Sequence, residues 1–361
     1  MSVKGRQRFL ATLAIVALLV LVSAASASPP PSALGPLDDP KATSSALQGF
    51  GFWSSGWRDI APGGFLTLEH NYGGDPDFYA VDLWFRDLDD GLGINHKAFG
   101  GMEFGEMYWG AAWQKLTATT IELYRFPNDP FADQVLVRIW IPDPGPLYDS
   151  GWVDMEPGQA STLTHNLNVD PEQFTVGMRF RDTHAEGIGV NLRAAGGLEA
   201  AGQFYGAAWQ ALTDTTIQVL RFQDDIVADQ VRIQIYHPDP PVYNSGWRII
   251  QPGEELTLPH NLGGNPLSYI VRAFARDDQP GGRGMNSVYG GGFEANGHFF
   301  GSNWEKLTDS TIGIYRFRND DMAEGRSAAE VRVWIYLARA RIFLPMIRRN
   351  LAPLAPASAP D

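Results

Sequence analysis

Three histidine–asparagine pairs are the first residues whose types and spacing could do chemistry. Each pair follows an apolar stretch and precedes a turn sequence: His70-Asn71, His165-Asn166 and His260-Asn261. Such a pair can hydrogen-bond a sugar hydroxyl or a carboxylate, although both side chains also satisfy backbone groups in ordinary turns, which is the interpretation we favour. One histidine per third of the chain is too few for zinc, which takes three or four ligands. The sequence therefore predicts no zinc site and keeps the pairs as ligand-binding candidates.

Acidic and amide side chains recur in the same three-part pattern and are further ligand-binding candidates. They are aspartates at a strand end, asparagines in the next loop and glutamates in glycine-rich sequence: Asp87, Asp182, Asp277, Asn95, Asn191, Asn286, Glu103, Glu199 and Glu294. In the first third, the run Asp87, Asp89, Asp90, Gly91 to Asn95 is similar to an oxygen-rich calcium loop. The other two thirds lack this run. Calcium is therefore an alternative in the first third alone, and we expect no other cofactor or metal.

The recurrent residues do not favour catalysis. Glycoside hydrolysis needs two carboxyl groups at a set separation in a cleft, and each glutamate recurs without a second acid beside it. No serine recurs next to a base, and the chain has no cysteine nucleophile. We expect no catalytic residues and no enzyme. A secreted hydrolase is the third choice, which a deep pocket holding Glu199 and Asp182 would favour.

Outward-facing aromatic residues are candidate contacts for a ligand or for a neighbouring domain. Strand alternation places four of them on the outer faces of the last strands of the three copies: Trp140, Tyr236, Trp334 and Tyr336. Trp140, Tyr236 and Trp334 are the ligand-binding candidates among them. Aromatic rings pack against the apolar faces of sugars, and they also fill interfaces. The sequence leaves both interpretations open.

Three arginines lie in phase with inward-facing apolar positions: Arg125, Arg221 and Arg316. An arginine on a buried face needs a carboxylate partner. Acids just before the closing strand could supply it: Asp133, Asp229 and Glu330. We favour structural ion pairs here over ligand contacts.

All these candidates belong to three copies of one unit. The tryptophan of a Ser-Gly-Trp motif recurs 95 residues apart, at Trp57, Trp152 and Trp247. A period of this length predicts a domain with its own core in each copy. Apolar residues alternate in steps of two, as in residues 79–85, and no sustained helical period occurs. The predicted fold is all-β, with three tandem antiparallel β-sandwich domains after a cleaved signal peptide.

The predicted boundaries follow from composition. A basic start, an apolar run over residues 9–22 and a small-residue cleavage site are typical of an export signal, and proline-rich segments separate the copies. The segments are a signal peptide (1–27), a linker (28–48), three repeats (49–142, 147–237 and 242–338) and a basic and apolar C-terminal tail (339–361).

Charge and cysteine content limit the partners. The net charge is −13, which repels phosphate backbones and excludes nucleic acid as a partner. The absence of cysteine excludes disulfides and thiolate metal sites. No apolar run is long enough for a transmembrane segment. We expect a secreted protein, extracellular or associated with the cell envelope.

The motif order resembles that of H-type lectin domains. Ser-Gly-Trp, His-Asn, a strand ending Phe-Arg-Asp, Trp-x-x-Leu-Thr-x-x-Thr-Ile and a closing Val-Arg-x-Trp strand cover residues 53–141, 148–236 and 243–336. The resemblance implies six-stranded β-sandwiches that assemble as trimers and bind sugars such as N-acetylgalactosamine, so that three copies on one chain form an internal pseudo-trimer. The glycine-rich insertions around Gly100 and Gly196 depart from the pattern, and no binding residue is carried over.

These observations together predict a secreted multivalent binding protein. Its partners would be glycans or other cell-surface polymers, engaged through repeated sites in adhesion. The alternative is a structural repeat protein of the envelope or extracellular matrix, in which the aromatic residues contact other domains or chains and drive self-association.

Overall fold

The structure is a computed structural model that describes residues 52–89, 91–320 and 328–338. The predicted signal peptide (1–27), the linker (28–48), Asp90 of the calcium-like run and the C-terminal tail (339–361) lie outside the described residues. Within the described ranges, no helix has the length and apolar character needed to cross a membrane.

The three copies contain the same order of short strands. The first repeat has β1 (Phe52–Ser54), β2 (Arg58–Asp59), β3 (Phe65–Glu69), β4 (Ala80–Arg86), β5 (Ile94–Asn95), β6 (Met102–Phe104), β7 (Met107–Trp109), β8 (Ala111–Gln114), β9 (Thr120–Arg125) and β10 (Gln134–Trp140). The second has β11 (Tyr148–Asp149), β12 (Val153–Asp154), β13 (Ala160–Thr164), β14 (Thr175–Asp182), β15 (Gly189–Asn191), β16 (Leu198–Ala200), β17 (Gln203–Tyr205), β18 (Ala207–Gln210), β19 (Thr216–Arg221) and β20 (Gln230–Tyr236). The third has β21 (Tyr243–Asn244), β22 (Arg248–Ile249), β23 (Glu255–Pro259), β24 (Tyr269–Asp277), β25 (Gly284–Asn286), β26 (Phe293–Ala295), β27 (His298–Phe300), β28 (Ser302–Glu305), β29 (Thr311–Arg316) and β30 (Glu330–Leu337).

One 3₁₀ turn per repeat precedes the long inner strand. The turns are Pro76–Phe78, Pro171–Gln173 and Pro266–Ser268. Each begins with proline, whose fixed φ suits the first helical position, and is capped by an Asp or Asn side chain that accepts a backbone N–H. The cap therefore sets where β4, β14 and β24 begin.

Each repeat forms three antiparallel sheets. In the first repeat, a five-stranded sheet has the order β1-β10-β4-β5 with β2 also paired to β10, a three-stranded sheet has the order β3-β9-β8, and β6 and β7 form a hairpin. The other two repeats have the same pairings. The internal repeat predicted from the sequence is therefore confirmed.

The sheets of different repeats are joined at their edges. The chain after each outer strand of a five-stranded sheet donates a backbone hydrogen bond to an equivalent tryptophan carbonyl of another repeat: Leu192 to Trp113 (3.0 Å), Ser287 to Trp209 (2.9 Å) and His96 to Trp304 (3.0 Å). The third repeat thus returns to the first. This series closes the ring, so these edges are not open to other chains.

The closed ring contradicts the predicted domain architecture. The all-β prediction is confirmed, but the sheets are arranged as a six-bladed β-propeller, so three tandem β-sandwich domains and the similarity to H-type lectin domains are wrong. The alternation of apolar and polar residues shows which side chains share a face of the strand. It does not show whether the outward face contacts solvent or another repeat. Trp84 alternates with the inward residues of β4, yet it is fully buried in the core cluster of the third repeat.

A glycine on each repeat lets the chains approach closely where the three repeats meet. The carbonyl of Gly100 accepts from Ala194 N–H (2.8 Å), that of Gly196 from Tyr289 N–H (2.8 Å), and that of Gly291 from Ala98 N–H (2.7 Å). Gly100 has φ +81°, and a Cβ there would lie 2.8 Å from the backbone nitrogen of Ala195. Only glycine fits this approach without displacing the neighbouring chain.

The repeated arginines form buried ion pairs, as predicted. Their guanidinium groups bind an aspartate four residues later: Arg125–Asp129 (2.9 Å), Arg221–Asp225 (2.9 Å) and Arg316–Asp320 (2.7 Å). The predicted partners Asp133 and Asp229 add a second carboxylate in two repeats. Glu330 pairs with Arg276 instead. These pairs tie the end of a strand to the loop that follows it.

Candidate functional site

The repeated histidines lie inside turns. His70, His165 and His260 are buried, and Nδ1 of each accepts the backbone N–H two residues later, at 3.2 to 3.3 Å. Burial lowers the pKa of His70 despite hydrogen bonds to the backbone of Thr120 and Thr117, and it lowers the pKa of the other two histidines as well. Neutral imidazoles that hold the backbone together match the structural interpretation of these residues.

The asparagine that follows each histidine is a turn residue. Asn71, Asn166 and Asn261 are exposed and have positive φ angles of 47°, 51° and 51°. Asparagine tolerates this left-handed conformation better than most side chains. The residue type is therefore explained by the backbone at these positions.

The aspartates at the strand ends accept hydrogen bonds from their own loops. Asp87 accepts the N–H groups of Asp89 (3.0 Å) and Leu92 (2.8 Å). Asp182 accepts those of His184 (3.0 Å) and Ile188 (2.9 Å), and Asp277 that of Gln279 (3.0 Å). These buried carboxylates stabilise loops around the ring.

The repeated asparagines of the next loop are buried, and two of them bridge two segments. Asn95 donates to the carbonyls of Gly93 (3.0 Å) and Phe131 (3.1 Å), and Asn191 to those of Gly189 (2.9 Å) and Val227 (3.0 Å). Asn286 donates to Gly284 (2.9 Å). Their amide groups are occupied by the protein's own backbone.

Three equivalent aromatic residues line one central cavity. Trp140, Tyr236 and Tyr336 come from the last strand of each repeat, and residues of all three repeats line this cavity of about 1380 Å³. Alternation placed all three on the outward face, and Trp140 and Tyr236 were ligand-binding candidates. The third predicted residue, Trp334, lies in the shared core against Phe274. The sequence signal for Tyr336 was present, because each cavity aromatic directly follows an isoleucine of the closing strand.

Sequence reasoning missed a charged group in the cavity wall. Asp82 accepts from Arg138 (2.5 Å) and lies 3.4 Å from Arg272 of the third repeat. Burial alone would raise the pKa of Asp82, but Arg138, Arg272 and His96 outweigh it and hold this pKa below its usual value. Burial lowers the pKa of His96 to about 4, so this cavity-lining imidazole is neutral at pH 7.

The tyrosine hydroxyls of the cavity differ in their partners. Tyr236 donates to Gln234 at 2.9 Å, whereas the buried hydroxyl of Tyr336 has no hydrogen-bond partner among the described residues. Burial raises the pKa of both phenols, so both are neutral donors at pH 7. A buried hydroxyl without a partner costs free energy, which a ligand acceptor would recover.

The structure brings the three repeated glutamates together. Glu103, Glu199 and Glu294 stand on the first strand of each hairpin, and one carboxylate oxygen of each lies within 4.8 Å of those of the other two. All three are buried. The sequence showed their recurrence, but it could not show that ring closure unites them, and Asp182 is not part of this cluster.

The pKa values of two members of the cluster are raised. Burial raises the pKa of Glu103 to about 7, with Glu199 and Glu294 adding to the shift and the backbone N–H of Glu106 opposing it. Burial raises the pKa of Glu294 as well, again with Glu199 adding to the shift. Carboxyl groups so close can share protons or bind a cation.

The comparisons with protein families and with curated sequences found no match. No protein-family model matches the chain, and no curated protein sequence is significantly similar to it. The functional argument therefore rests on the geometry of the site.

Proposed function

We propose that this chain is an exported binding protein that takes a carbohydrate in its central cavity. The β-propeller fold is compatible with a binding or scaffold role. The observation that carries the finer proposal is the set of aromatic residues, one per repeat, that lines a single cavity: Trp140, Tyr236 and Tyr336. Aromatic rings with nearby polar groups suit the alternating apolar faces and hydroxyls of a sugar.

The size and the chemistry of the cavity support this ligand class. Small-molecule sites usually have volumes of roughly 300–1,000 Å³, and the cavity of about 1380 Å³ has room for more than one sugar ring. Its wall contains a carboxylate, guanidinium groups and amides, all held by the protein: Asp82, Arg179, Arg272 and Gln234. Polar side chains held in fixed positions around the aromatic rings can orient a bound sugar by hydrogen bonds, and no metal ion is needed for this.

The shared cavity changes the multivalent proposal. The histidine, asparagine and aspartate candidates hydrogen-bond turns and loops of their own repeats, which argues against three equal binding sites. The cavity instead combines residues of all three repeats. We therefore expect one main carbohydrate site per chain.

A glycan array followed by calorimetry with the selected oligosaccharide tests the proposal. Trp140→Ala should weaken binding at least tenfold, which corresponds to about 1.4 kcal/mol. Phe65→Ala is the matched control, because Phe65 is 59% exposed and stacks on Tyr124 outside the cavity. No binding at millimolar sugar together with ordered self-assembly would favour the alternative, a structural protein of the envelope or matrix.

Export is a separate part of the proposal. The basic and apolar N-terminus supports it. The intact mass of the protein recovered from the culture medium should correspond to a chain that begins near Ser28. Retention of the full-length chain inside the cell would contradict export without affecting the cavity.

A further inference from the structure

The three glutamates of the hairpins lack the donors that buried acids usually have. The described residues contain no ion pair to Glu103, Glu199 or Glu294, although the structure records many ion pairs elsewhere. Oε1 of each accepts the N–H of its own hairpin turn, from Glu106, Gly202 and Gly297. The other side-chain hydrogen bonds join the glutamates to one another. Three buried acids without a basic partner need a proton or a cation.

One carboxylate oxygen of the cluster, Oε2 of Glu294, has no hydrogen-bond donor. Glu294 is only 2% exposed, and no N–H or hydroxyl donor of the described residues reaches its Oε2. The polar groups that face the side chain are the carboxyl groups of Glu103 and Glu199. The other oxygen of the same carboxylate is held by the turn, so the side chain cannot rotate to satisfy Oε2 without losing that bond. This orphaned acceptor points to a missing positive partner.

We propose that Glu103, Glu199 and Glu294 form one binding site for a calcium-like cation, built where the three hairpins meet. The ligand set consists of oxygen atoms only, which selects hard cations. Calcium–oxygen bonds are about 2.4 Å, so two oxygens on one ion can be up to about 4.8 Å apart. One carboxylate oxygen from each glutamate lies within 4.8 Å of those of the other two, so small side-chain movements can bring all three onto one ion.

Two other acidic clusters differ in a way that supports this choice. Oxygens of Asp87, Asp89 and Asp133 lie within 4.8 Å of one another, and so do atoms of Asp182, His184 and Asp229. In the first cluster, Asp87 binds two loop amides and Asp133 binds Arg125 and the amide of Leu88. In the second, Asp229 binds Arg221 and Thr183. An arginine of the protein therefore already binds one carboxylate in each of these clusters, unlike in the glutamate cluster.

Terbium luminescence provides the direct test on the mature full-length chain. Tyr108 is paired with Glu103 across the hairpin, so excitation of tyrosine should sensitise a bound Tb³⁺ ion. We expect one ion per chain, displacement by excess Ca²⁺, and a higher thermal midpoint in Ca²⁺ than in a chelator. Native mass spectrometry of the same sample should show a single bound ion.

Three variants locate the site. Glu294→Gln should weaken Tb³⁺ binding at least tenfold and raise the thermal midpoint of the metal-free protein, because one repelling charge is removed. Glu69→Gln, at an exposed position outside the cluster, should bind as the parent does. Asp182→Asn tests the competing cluster and should also leave binding unchanged.

The opposite outcomes overturn the proposal. They are the absence of Tb³⁺ and Ca²⁺ binding in the parent protein, full binding by Glu294→Gln, or loss of binding in Asp182→Asn alone. If Glu294→Gln does not fold, Glu103→Gln replaces it with the same expectations. Carbohydrate binding is measured separately, so failure of the cation site leaves the cavity proposal standing.

Discussion

Arg138 of the first repeat donates a hydrogen bond of 2.5 Å to the backbone carbonyl of Tyr269 in the third repeat, 131 residues away. The same guanidinium group binds Asp82 of its own repeat at 2.5 Å. Arg179 makes the corresponding kind of bond from the second repeat to the carbonyl of Pro76 in the first (2.8 Å). Arginine side chains thus connect the repeats beside the cavity.

Removal of this connection should destabilise the whole ring. Arg138→Met leaves Asp82 buried with only the more distant Arg272, and we expect a loss of about 3–5 kcal/mol in the free energy of unfolding. Urea denaturation followed by tryptophan fluorescence measures it. Arg58→Met, at an exposed position of β2, should change stability by less than about 0.5 kcal/mol. Equal effects of the two substitutions would contradict the structural role of Arg138.

Substitution of the buried Asp129 should destabilise the protein as much as substitution of Arg138. Its two oxygens accept from Arg125, Gly110, Phe131 and Ala132, so an asparagine would turn an N–H₂ group toward donors. Asp129→Asn should therefore cost about 3–5 kcal/mol in thermal or urea unfolding. Asp59→Asn is the control, because Asp59 is exposed and accepts from a glutamine. A stable Asp129→Asn protein would show that the ion pair is dispensable.

The glycine before β8 should not tolerate a methyl group. A Cβ on Gly110 would lie 1.7 Å from the carbonyl oxygen of Ala98, and φ is +92°. Gly73 has φ +76° with nothing near the added carbon, so Gly73→Ala should cost only the left-handed backbone penalty of about 1–2 kcal/mol. Gly110→Ala should cost about 3 kcal/mol or prevent folding. Similar unfolding free energies for both variants would refute the close approach.

The cavity tyrosine separates ligand binding from stability. Tyr336→Phe removes a buried hydroxyl that has no partner in the described structure, so the free energy of unfolding should stay the same or rise. Carbohydrate affinity should fall roughly tenfold, because the hydroxyl would bond the ligand. Calorimetry and thermal melting measure the two quantities independently. A fall in stability with unchanged affinity would assign the hydroxyl to the fold.

Stability should decrease in mild acid because of His96. Its folded-state pKa of about 4 lies below the ordinary value of 6.5, so the unfolded chain binds this proton more readily. The contribution of His96 is complete above about pH 6.5 and is lost as the pH falls toward about 4. His96→Gln should flatten the dependence of unfolding free energy on pH in this window. His237→Gln, at an exposed position, should retain the parent slope.

The strands could be predicted from the sequence because apolar side chains alternate in steps of two along them. The pattern correctly indicated that Leu83 and Phe85 of β4 point inward, and both are buried. Tyr79 is also buried but lies just before the strand, and Val81 is only half-buried. The arginine ion pairs could be predicted because the same alternation places the arginines at inward-facing positions, where each needs a carboxylate partner. Such predictions depend only on neighbours along the strand.

The ring could not be predicted from the same pattern. Trp84 and Arg138 alternate outward, which normally indicates solvent, but other repeats cover both. Nothing in the spacing of Glu103 or Glu199 specifies that their carboxylates meet, since this depends on closure between repeats. The prediction that the repeated histidines lie in turns was correct. Their burial and their hydrogen bonds to the backbone favour the structural interpretation over ligand binding.

Binding stoichiometry is the most direct test of a cavity shared by the repeats. Isothermal titration calorimetry of the mature chain with the oligosaccharide selected on the array should give one site per chain, and Trp140→Ala should weaken that site at least tenfold. Three equal sites per chain, or one site that is unaffected by Trp140→Ala, would contradict the account.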